Sequence, residues 1–475
     1  MKKTVLAIDL GAESGRVMAV HFDGSHLELE ELHRFSNTPV TDNGTIVWNI
    51  SRLWNNILMG IKKGKDLNPV SIGVDTWGVD FALLDKQDKL ISNPVHYRDK
   101  RTKNMMENVF KRVSRDSIFD QTGVQFLPFN TIYQLASMLE NDTEKLDSAH
   151  TFLTIPDLFN YWLTGKKYCE FTNVTTTQLF NPRTKVWAYE LMDSLNIPRH
   201  IFPEVIQPGT HLGYFRGVPV IASASHDTGS AVAAVPAHGE NFAYISSGTW
   251  SLVGVEMNEP LINHQALQSN ITNEGGVNNT FRLLKNVMGL WIVQQCRKTW
   301  KKNGDNKTYA ELTALAGKAS PFKALINPND IRFLAPGNHP EFVQDFCRET
   351  NQDVPQSCAE IIRCTLESLA CAYREVIENI ESLTLKKIEK IHIVGGGSQN
   401  SLLNQMTADV CGLPVVAGPV EATVIGNALI QFISLGKIKD LDQGRHLVGN
   451  LKEIKEYQPD YNSSWGETYL KFKTL

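Results

Sequence analysis

The stretch VLAIDLGAESGR (Val5–Arg16) decides how the rest of the chain is read. It joins an apolar run, TVLAIDLG (Thr4–Gly11), to a second β-patterned run, SGRVMAVHFDG (Ser14–Gly24), through a short Gly-Ala-Glu-Ser turn. Two strand patterns joined so tightly predict a hairpin. Gly11 and Gly15 allow a tight turn that brings bare backbone N–H groups close to an anion. Ser14 adds a hydroxyl donor, and Arg16 a forked, permanently charged donor suited to phosphate oxygens. Asp9, at the strand end, is placed to face a magnesium ion through water, since that ion sheds its hydration shell reluctantly. An ordinary hairpin turn accounts for the same residues, and this motif alone leaves both readings open.

Working outward, the pattern recurs near the midpoint. FAYISSGTWSLVGVEMN (Phe242–Asn258) is again strand, polar turn and strand, with Ser246-Ser247-Gly248-Thr249 offering the same anion-binding chemistry without charge. Further on, KIHIVGGGSQN (Lys390–Asn400) runs from a strand into Gly395-Gly396-Gly397 and then into a helix, SLLNQMTADVCG. The triplet is neither a dinucleotide fingerprint nor a Walker A loop. It leaves side chains out where a flat ring or ribose can lie on the backbone, or else serves close strand–helix packing. PVSIGVDTWGVDFALLD (Pro69–Asp85) reads as a strand, a turn at Trp77-Gly78 and a second strand. Helical periodicity is expected from Arg98 to about Leu146, and PDLFNYWLTG (Pro156–Gly165) has Pro in its first turn and Gly at its end. The segment Ser225-His226-Asp227-Thr228 follows a strand-like PVIA and precedes a small-residue helix. Asp227 there is either a helix N-cap or a carboxylate that takes a proton from an attacking hydroxyl. The helix dipole lowers its pKa and a neighbouring triphosphate raises it, so the sequence leaves the balance open.

Composition removes other classes. The 475 residues suit two or three domains at ~150 residues each. A 42% hydrophobic and 21% charged chain is ordinary globular material, and a net charge of −4 gives no basic footprint for nucleic acid or an anionic membrane. Asp9 ends the first apolar run after Ile8, short of the roughly 7–15 residues of a secretory core segment. No run reaches the ~18 uninterrupted apolar residues of a membrane span. Seven Cys, without a Cys-x-x-Cys pair or zinc spacing, fit small core residues in a reducing cytoplasm. The polar stretch His238–Asn241 is the expected boundary between two lobes, 1–240 and 241–475, with ligands expected in the crevice between them.

Taken together these segments resemble the FGGY family of carbohydrate kinases, within the actin-like ATPase fold group. The likeness runs from VLAIDLGAESGR to about Gly436, and GGGSQNSLLNQMTADVCGLPV (Gly395–Val415) is its longest block. DTWGVDF (Asp75–Phe81), PVHYRDKRT (Pro94–Thr102), GVQFLPFNTIYQL (Gly123–Leu135), TNVTTTQL (Thr172–Leu179), SHDT (Ser225–Thr228), YISSGTWSL (Tyr244–Leu252), NITNEGG (Asn270–Gly276) and LKNVMGLW (Leu284–Trp291) resemble the branch that acts on L-rhamnulose. The resemblance implies an α/β, two-lobed actin-like (ribonuclease H-like) fold with a central cleft. The N-terminal domain would be the sugar and phosphate side, and the C-terminal domain the nucleotide side. It implies transfer from ATP, with Mg²⁺, to the 1-hydroxyl, giving L-rhamnulose 1-phosphate and ADP in L-rhamnose catabolism.

At matching positions it implies that Ala12, Glu13, Ser14, Gly15 and Arg16 contact the nucleotide phosphates and that Thr249, Gln294 and Gly396 complete the nucleotide site. Gly78, His226, Asp227, Thr228 and Asn286 would bind the ketose, with Asp227 as proton acceptor and Asp9 on the magnesium side. Glu13, acidic inside a phosphate loop, is expected to point to solvent and act through its backbone. Tyr97 stands where many members carry Trp. Trp77 offers an apolar surface for the 6-methyl group or is a core residue. The implied partners are a small ketose and ATP, with no nucleic acid, membrane or obligate protein partner, in the cytoplasm. A fuculose or xylulose kinase, an actin-like ATPase and an inactive sugar sensor are the rival readings. An actin-like ATPase leaves Asp227 and the NITNEGG block without a purpose, and the presence of Asp9, Arg16, Asp227 and the glycine triplet argues against an inactive sensor.

Overall fold

Lys3–Leu10 is buried along nearly its whole length, as expected of a central strand covered on both faces. The computed structural model, which describes residues 2–461 and 464–475, makes it the centre of a six-stranded sheet. With β1 Lys3–Leu10, β2 Ser14–Phe22, β3 Leu27–Ser36, β4 Ser71–Thr76, β5 His211–Phe215 and β6 Val218–Ile221, the order is β5-β6-β4-β1-β2-β3. β1 and β2 form the expected hairpin, with Asp9 opposite Arg16, and β4 runs parallel to β1 with Asp75 opposite Asp9. The edge strand β3 alternates charged and apolar residues and is largely exposed, which blunts it against pairing with other chains.

A second sheet repeats this plan. It has seven strands: β7 Phe242–Ser247, β8 Trp250–Met257, β9 Phe281–Met288, β10 Lys390–Val394, β11 Val415–Ala417 and β12 Lys455–Tyr457 run in the order β9-β8-β7-β10-β11-β12, with the short strand Thr272–Gly275 on the outer side of β9. The hairpin β7–β8 is antiparallel and β10 is parallel to β7, as β4 is to β1. The recurrence of strand, polar turn and strand in the sequence is therefore a recurrence of topology.

The chain divides into two compact units that interleave along the sequence: Met1–Pro236 with Glu256–Leu283 and Ala422–Gly449, and Ala237–Val255 with Leu284–Glu421 and Asn450–Leu475. One local expectation changes. The helical stretch after Arg98 is broken into short pieces, Met105–Phe110, Arg115–Thr122, Thr131–Asn141 and Thr143–Asp147. Left-handed Gly123 (φ 64°) ends the second, and Pro128 lies in the non-helical connection to the third. The strands expected on either side of the Trp77-Gly78 turn are present as β4 and Phe81–Leu84, the latter pairing with Thr151–Thr154 in a small separate sheet. The helix Ile155–Thr164, closed by left-handed Gly165, and Ser401–Cys411, closed by left-handed Gly412, follow the sequence signals. All seven cysteines are free thiols, and no described helix is long and apolar enough to cross a membrane.

Candidate active site

In the first unit the sheet register gathers the acidic residues. Asp9 lies beside Asp75 on β4 and beside Arg16 on β2. Residues opposite one another across neighbouring strands share a sheet face. Arg16 donates from Nε and Nη2 to Asp9 Oδ2, at 2.8 and 2.6 Å, so the fork expected to meet phosphate is held by Asp9. Asp75 is fully buried, and its Oδ2 accepts from Asn427 Nδ2 at 2.5 Å. Gln431 Nε2 donates in turn to Asn427 Oδ1 (2.7 Å), and Ser71 Oγ to Gln431 Oε1 (2.6 Å). Asp75 Oδ1 is buried with no hydrogen-bond partner among the described residues. Burial, then the charge of Asp9, raises the Asp75 carboxyl well above the usual range; Asn427 opposes this and Asp227 adds to it.

The turn Gly11–Ser14 is pinned by Asn37, whose Nδ2 donates to Gly11 O (2.8 Å) and whose backbone N–H donates to Glu13 O (2.9 Å). Glu13 itself is exposed, as expected. Neither Gly11 nor Gly15 has a left-handed φ, so conformational freedom is not what either glycine supplies. A Cβ at Gly15 would lie 2.5 Å from the Phe35 ring, and close packing fixes that position.

Asp227 is the first residue of the helix Asp227–Ala233, and His226 occupies the N-cap position without capping through its side chain. The carboxylate is therefore not the cap that the sequence left as one alternative. Its side chain is 30% exposed, with His226 Nε2 3.5 Å from Oδ1 and Thr228 Oγ1 donating to Oδ1 at 3.2 Å. Its pKa is raised, chiefly by burial; His226 lowers it and the charge of Asp9 raises it further. Asp9, Asp75 and Asp227 thus form one electrostatic cluster.

The loop before Asp227 runs beside the end of β4, with Thr76 N donating to Ser225 O at 2.9 Å. Glu170, fully buried, holds that loop. Its Oε1 accepts from Thr172 N (3.0 Å), and its Oε2 accepts from Thr172 Oγ1 (2.6 Å), Ser225 N (2.9 Å) and Ser225 Oγ (2.6 Å). Thr172 Oγ1 in turn accepts from His226 N at 3.0 Å. The Trp77-Gly78 turn is tied to the same loop by Asn173, whose Nδ2 approaches Trp77 O and Ser225 O at 3.3 and 3.4 Å. A Cβ at Gly78 would meet Thr176 Oγ1 at 2.9 Å. Trp77 is a core residue, 5% exposed, tilted on Trp48 at 4.2 Å and bonded through Nε1 to Asp80 Oδ2 at 3.0 Å.

In the second unit, Thr249 Oγ1 donates to Gln294 Oε1 at 3.4 Å, so two of the residues expected at the nucleotide meet. The turn that carries Thr249 touches the glycine triplet. A Cβ at Gly397 would lie 2.0 Å from Ser247 Oγ, and Gly395 has φ 84° with Ser247 O 3.1 Å from its Cβ position. Packing therefore accounts for Gly395 and Gly397. Gly396 has nothing within 4 Å of its Cβ position, and it alone of the three leaves open space. Asn286 lies half-buried on β9.

Comparison with known proteins gives the family. The model of the N-terminal domain of the FGGY family of carbohydrate kinases matches residues 4–232, and that of the C-terminal domain matches 243–435. The chain belongs to the FGGY family of carbohydrate kinases. It is 44% identical over 483 residues, covering 100% of this chain and 96% of the relative, to a protein of Pectobacterium atrosepticum named rhamnulokinase. A protein of the same name from Bacteroides thetaiotaomicron is 42% identical over 487 residues, covering 100% and 99% of the two chains. Among solved structures, ligand-bound xylulose kinase from Lactobacillus acidophilus is similar with a TM-score of 0.79 at 18% identity, covering 99% of this chain and 97% of that one. Plasmodium falciparum glycerol kinase with ADP is similar with a TM-score of 0.76 at 16% identity, covering 99% and 96%. The fold is thus the two-domain α/β actin-like fold of sugar kinases.

Sequence reasoning missed Asp75, Asn427 and Glu170 in this family's fold. Asp75 sat in a quoted motif, but only the β1–β4 register places it beside Asp9. Glu170 carries a specific expectation. Each of its oxygens faces a backbone N–H, so Glu170→Gln puts an amide N–H against one of them whichever way it turns. We expect a loss of about 1–3 kcal/mol in unfolding free energy and a lower kcat with the KM for ATP unchanged. Thermal melting and steady-state kinetics check this; a variant matching wild type in both would show that the clamp positions nothing.

Proposed function

We propose that this kinase transfers the γ-phosphoryl group of ATP to the 1-hydroxyl of L-rhamnulose, giving L-rhamnulose 1-phosphate and ADP, with Asp227 as proton acceptor. The observation that carries the reading is the Asp227 carboxyl: part-exposed, raised in pKa, and electrostatically tied to Asp9 at the Gly11–Arg16 turn. The choice of sugar rests on the relatives named rhamnulokinase, at 42–44% identity over the full chain. In this reading Asp227 takes the proton of the 1-hydroxyl as that oxygen bonds to the γ-phosphorus and the bond to the ADP oxygen breaks. General-base help of this kind contributes about 10²–10⁴-fold, and positioning supplies much of the rest. Gly78, His226, Thr228 and Asn286 hold the ketose. Ala12, Glu13, Ser14, Gly15 and Arg16 hold the phosphates, and Thr249, Gln294 and Gly396 hold the remainder of the nucleotide. Glu13 faces solvent and contributes through its backbone.

The donor set suits magnesium. Asp9 and the bare Oδ1 of Asp75 offer carboxylate oxygens only, the ligands that ion prefers, and one or two carboxylates beside substrate phosphates are its usual protein share. No group of three or more ligating side chains that could hold a metal occurs among the described residues, so an all-protein cage is not what this site offers. Asp9 would hold the ion, with Asp75 behind it; when bound, it supplies charge neutralisation at the phosphates. Arg16, paired with Asp9, keeps a positive charge at the turn. We place the enzyme in the cytoplasm, where ATP and the free ketose meet.

The test is ADP release from magnesium ATP across L-rhamnulose, L-fuculose, D-xylulose and their aldoses. L-Rhamnulose is expected to give the highest kcat/KM. A preference for another ketose would contradict the sugar assignment, and ketose-independent ADP release would contradict a kinase.

A further inference from the structure

His226 lies between a guanidinium and two carboxylates. Its Nδ1 is 3.2 Å from Arg282 Nη2 and 3.4 Å from Glu274 Oε2, and its Nε2 is 3.5 Å from Asp227 Oδ1. Arg282, on β9, is fully buried, and Glu274, on the strand Thr272–Gly275, is 4% exposed. Arg282 Nε donates to Gly275 O at 2.8 Å, and Nη2 lies 3.2 Å from Glu274 Oε2. A buried arginine needs such a partner to offset its desolvation. The groups that face the ring are therefore Arg282 and Glu274 from two strands and Asp227 from the following helix, while Thr172 accepts from the His226 backbone.

An arginine only donates, so a hydrogen bond from Nη2 requires Nδ1 to be the bare, accepting nitrogen. A proton on Nδ1 would set N–H against N–H at Arg282. In the neutral ring it would also turn the Nε2 lone pair toward the Asp227 carboxylate. A proton on Nε2 suits Arg282 and Asp227 and leaves Glu274 Oε2, 3.4 Å from Nδ1, to pair with Arg282 Nη2 at 3.2 Å, whereas a proton on Nδ1 would suit Glu274 alone. We propose that Arg282, held by Glu274, is a positioning residue that fixes His226 as the Nε2–H tautomer and so presents an N–H donor beside Asp227 for a ketose hydroxyl oxygen. The catalytic part of this inference rests on the reading of His226 as a sugar contact. The tautomer rests on geometry alone.

Two arms test it. In nitrogen-15 histidine-labelled wild type at about pH 8, with His226 assigned from the spectrum of His226→Gln, the ring is expected to show a pyridine-type Nδ1 and a protonated Nε2. A protonated Nδ1 overturns the proposal without any substitution at Arg282. Arg282→Met is expected to raise the KM for the ketose about ten- to a hundredfold, the scale of one lost charged hydrogen bond, with the KM for ATP unchanged. Arg282→Lys, which keeps a donor, is expected to recover part of the loss. An unchanged ketose KM in Arg282→Met, or a parallel loss of ketose and ATP binding, overturns the positioning role. If wild type turns over no ketose, the functional reading falls with the catalytic role, and the labelled spectrum still decides the tautomer.

Discussion

Asp227→Asn is expected to keep ATP binding and to lower kcat for ketose-dependent ADP release about 10²–10⁴-fold. The substitution preserves shape and the contact with Thr228 but removes the lone acceptor for the hydroxyl proton. A pH signature accompanies it. The folded carboxyl is pushed above the ordinary aspartate value of 3.8, first by burial and further by Asp9, with His226 acting in the opposite direction. Only the ionised form takes a proton, so wild-type kcat/KM falls as pH drops through this raised pKa, and the acid limb lies at higher pH than an unperturbed aspartate would give. The residual activity of Asp227→Asn is expected to lack that limb. Near-normal turnover in the variant would remove Asp227 from catalysis.

The second large effect is expected at Gly426. A Cβ there would lie 1.7 Å from the Ser230 carbonyl oxygen, a backbone atom that cannot rotate aside. Ser230 belongs to the helix that begins at Asp227, and Gly426 belongs to Ala422–Ser434, which also supplies Asn427 to Asp75. Gly426→Ala must push these helices apart, displacing Asp227 from Asp75. Overpacking of this kind costs about 1–3 kcal/mol, which for a chain of 475 residues lowers the thermal midpoint by about 1–3 °C, and most activity is expected to go with it. Gly466, in the helix Trp465–Phe472 with nothing within 4 Å of its Cβ position, is the control. Gly466→Ala is expected to be neutral or slightly stabilising, because alanine favours helix. Equal behaviour of the two variants would contradict the contact argument.

These two positions show what a one-dimensional reading reaches. The hairpins at Asp9 and Ser247, the helix after Asp227 and the glycine triplet were legible because period, turn chemistry and chain order are local properties. Asp75 beside Asp9 was not, since it depends on the parallel register of strands separated by a helix. Asn427 reaches Asp75 from 352 residues away, and Glu170 reaches Ser225 from 55 away, and neither leaves a local pattern. Arg16 was read as a free phosphate donor because its charge is evident in sequence, whereas its pairing with Asp9 across the hairpin is a matter of register. At Gly15 and Gly397 the sequence leaves a backbone approach to a ligand and a purely structural role both open; Phe35 and Ser247 account for the two glycines as packing.

The most direct measurement follows the phosphorus. Wild-type enzyme with magnesium ATP and L-rhamnulose labelled at C1 should yield one sugar phosphate whose carbon–phosphorus coupling places the ester on the 1-oxygen, with ADP released in equal amount. Phosphate esterified at any other hydroxyl, or released as inorganic phosphate while the ketose stays intact, would contradict the account of a base aligned with that hydroxyl.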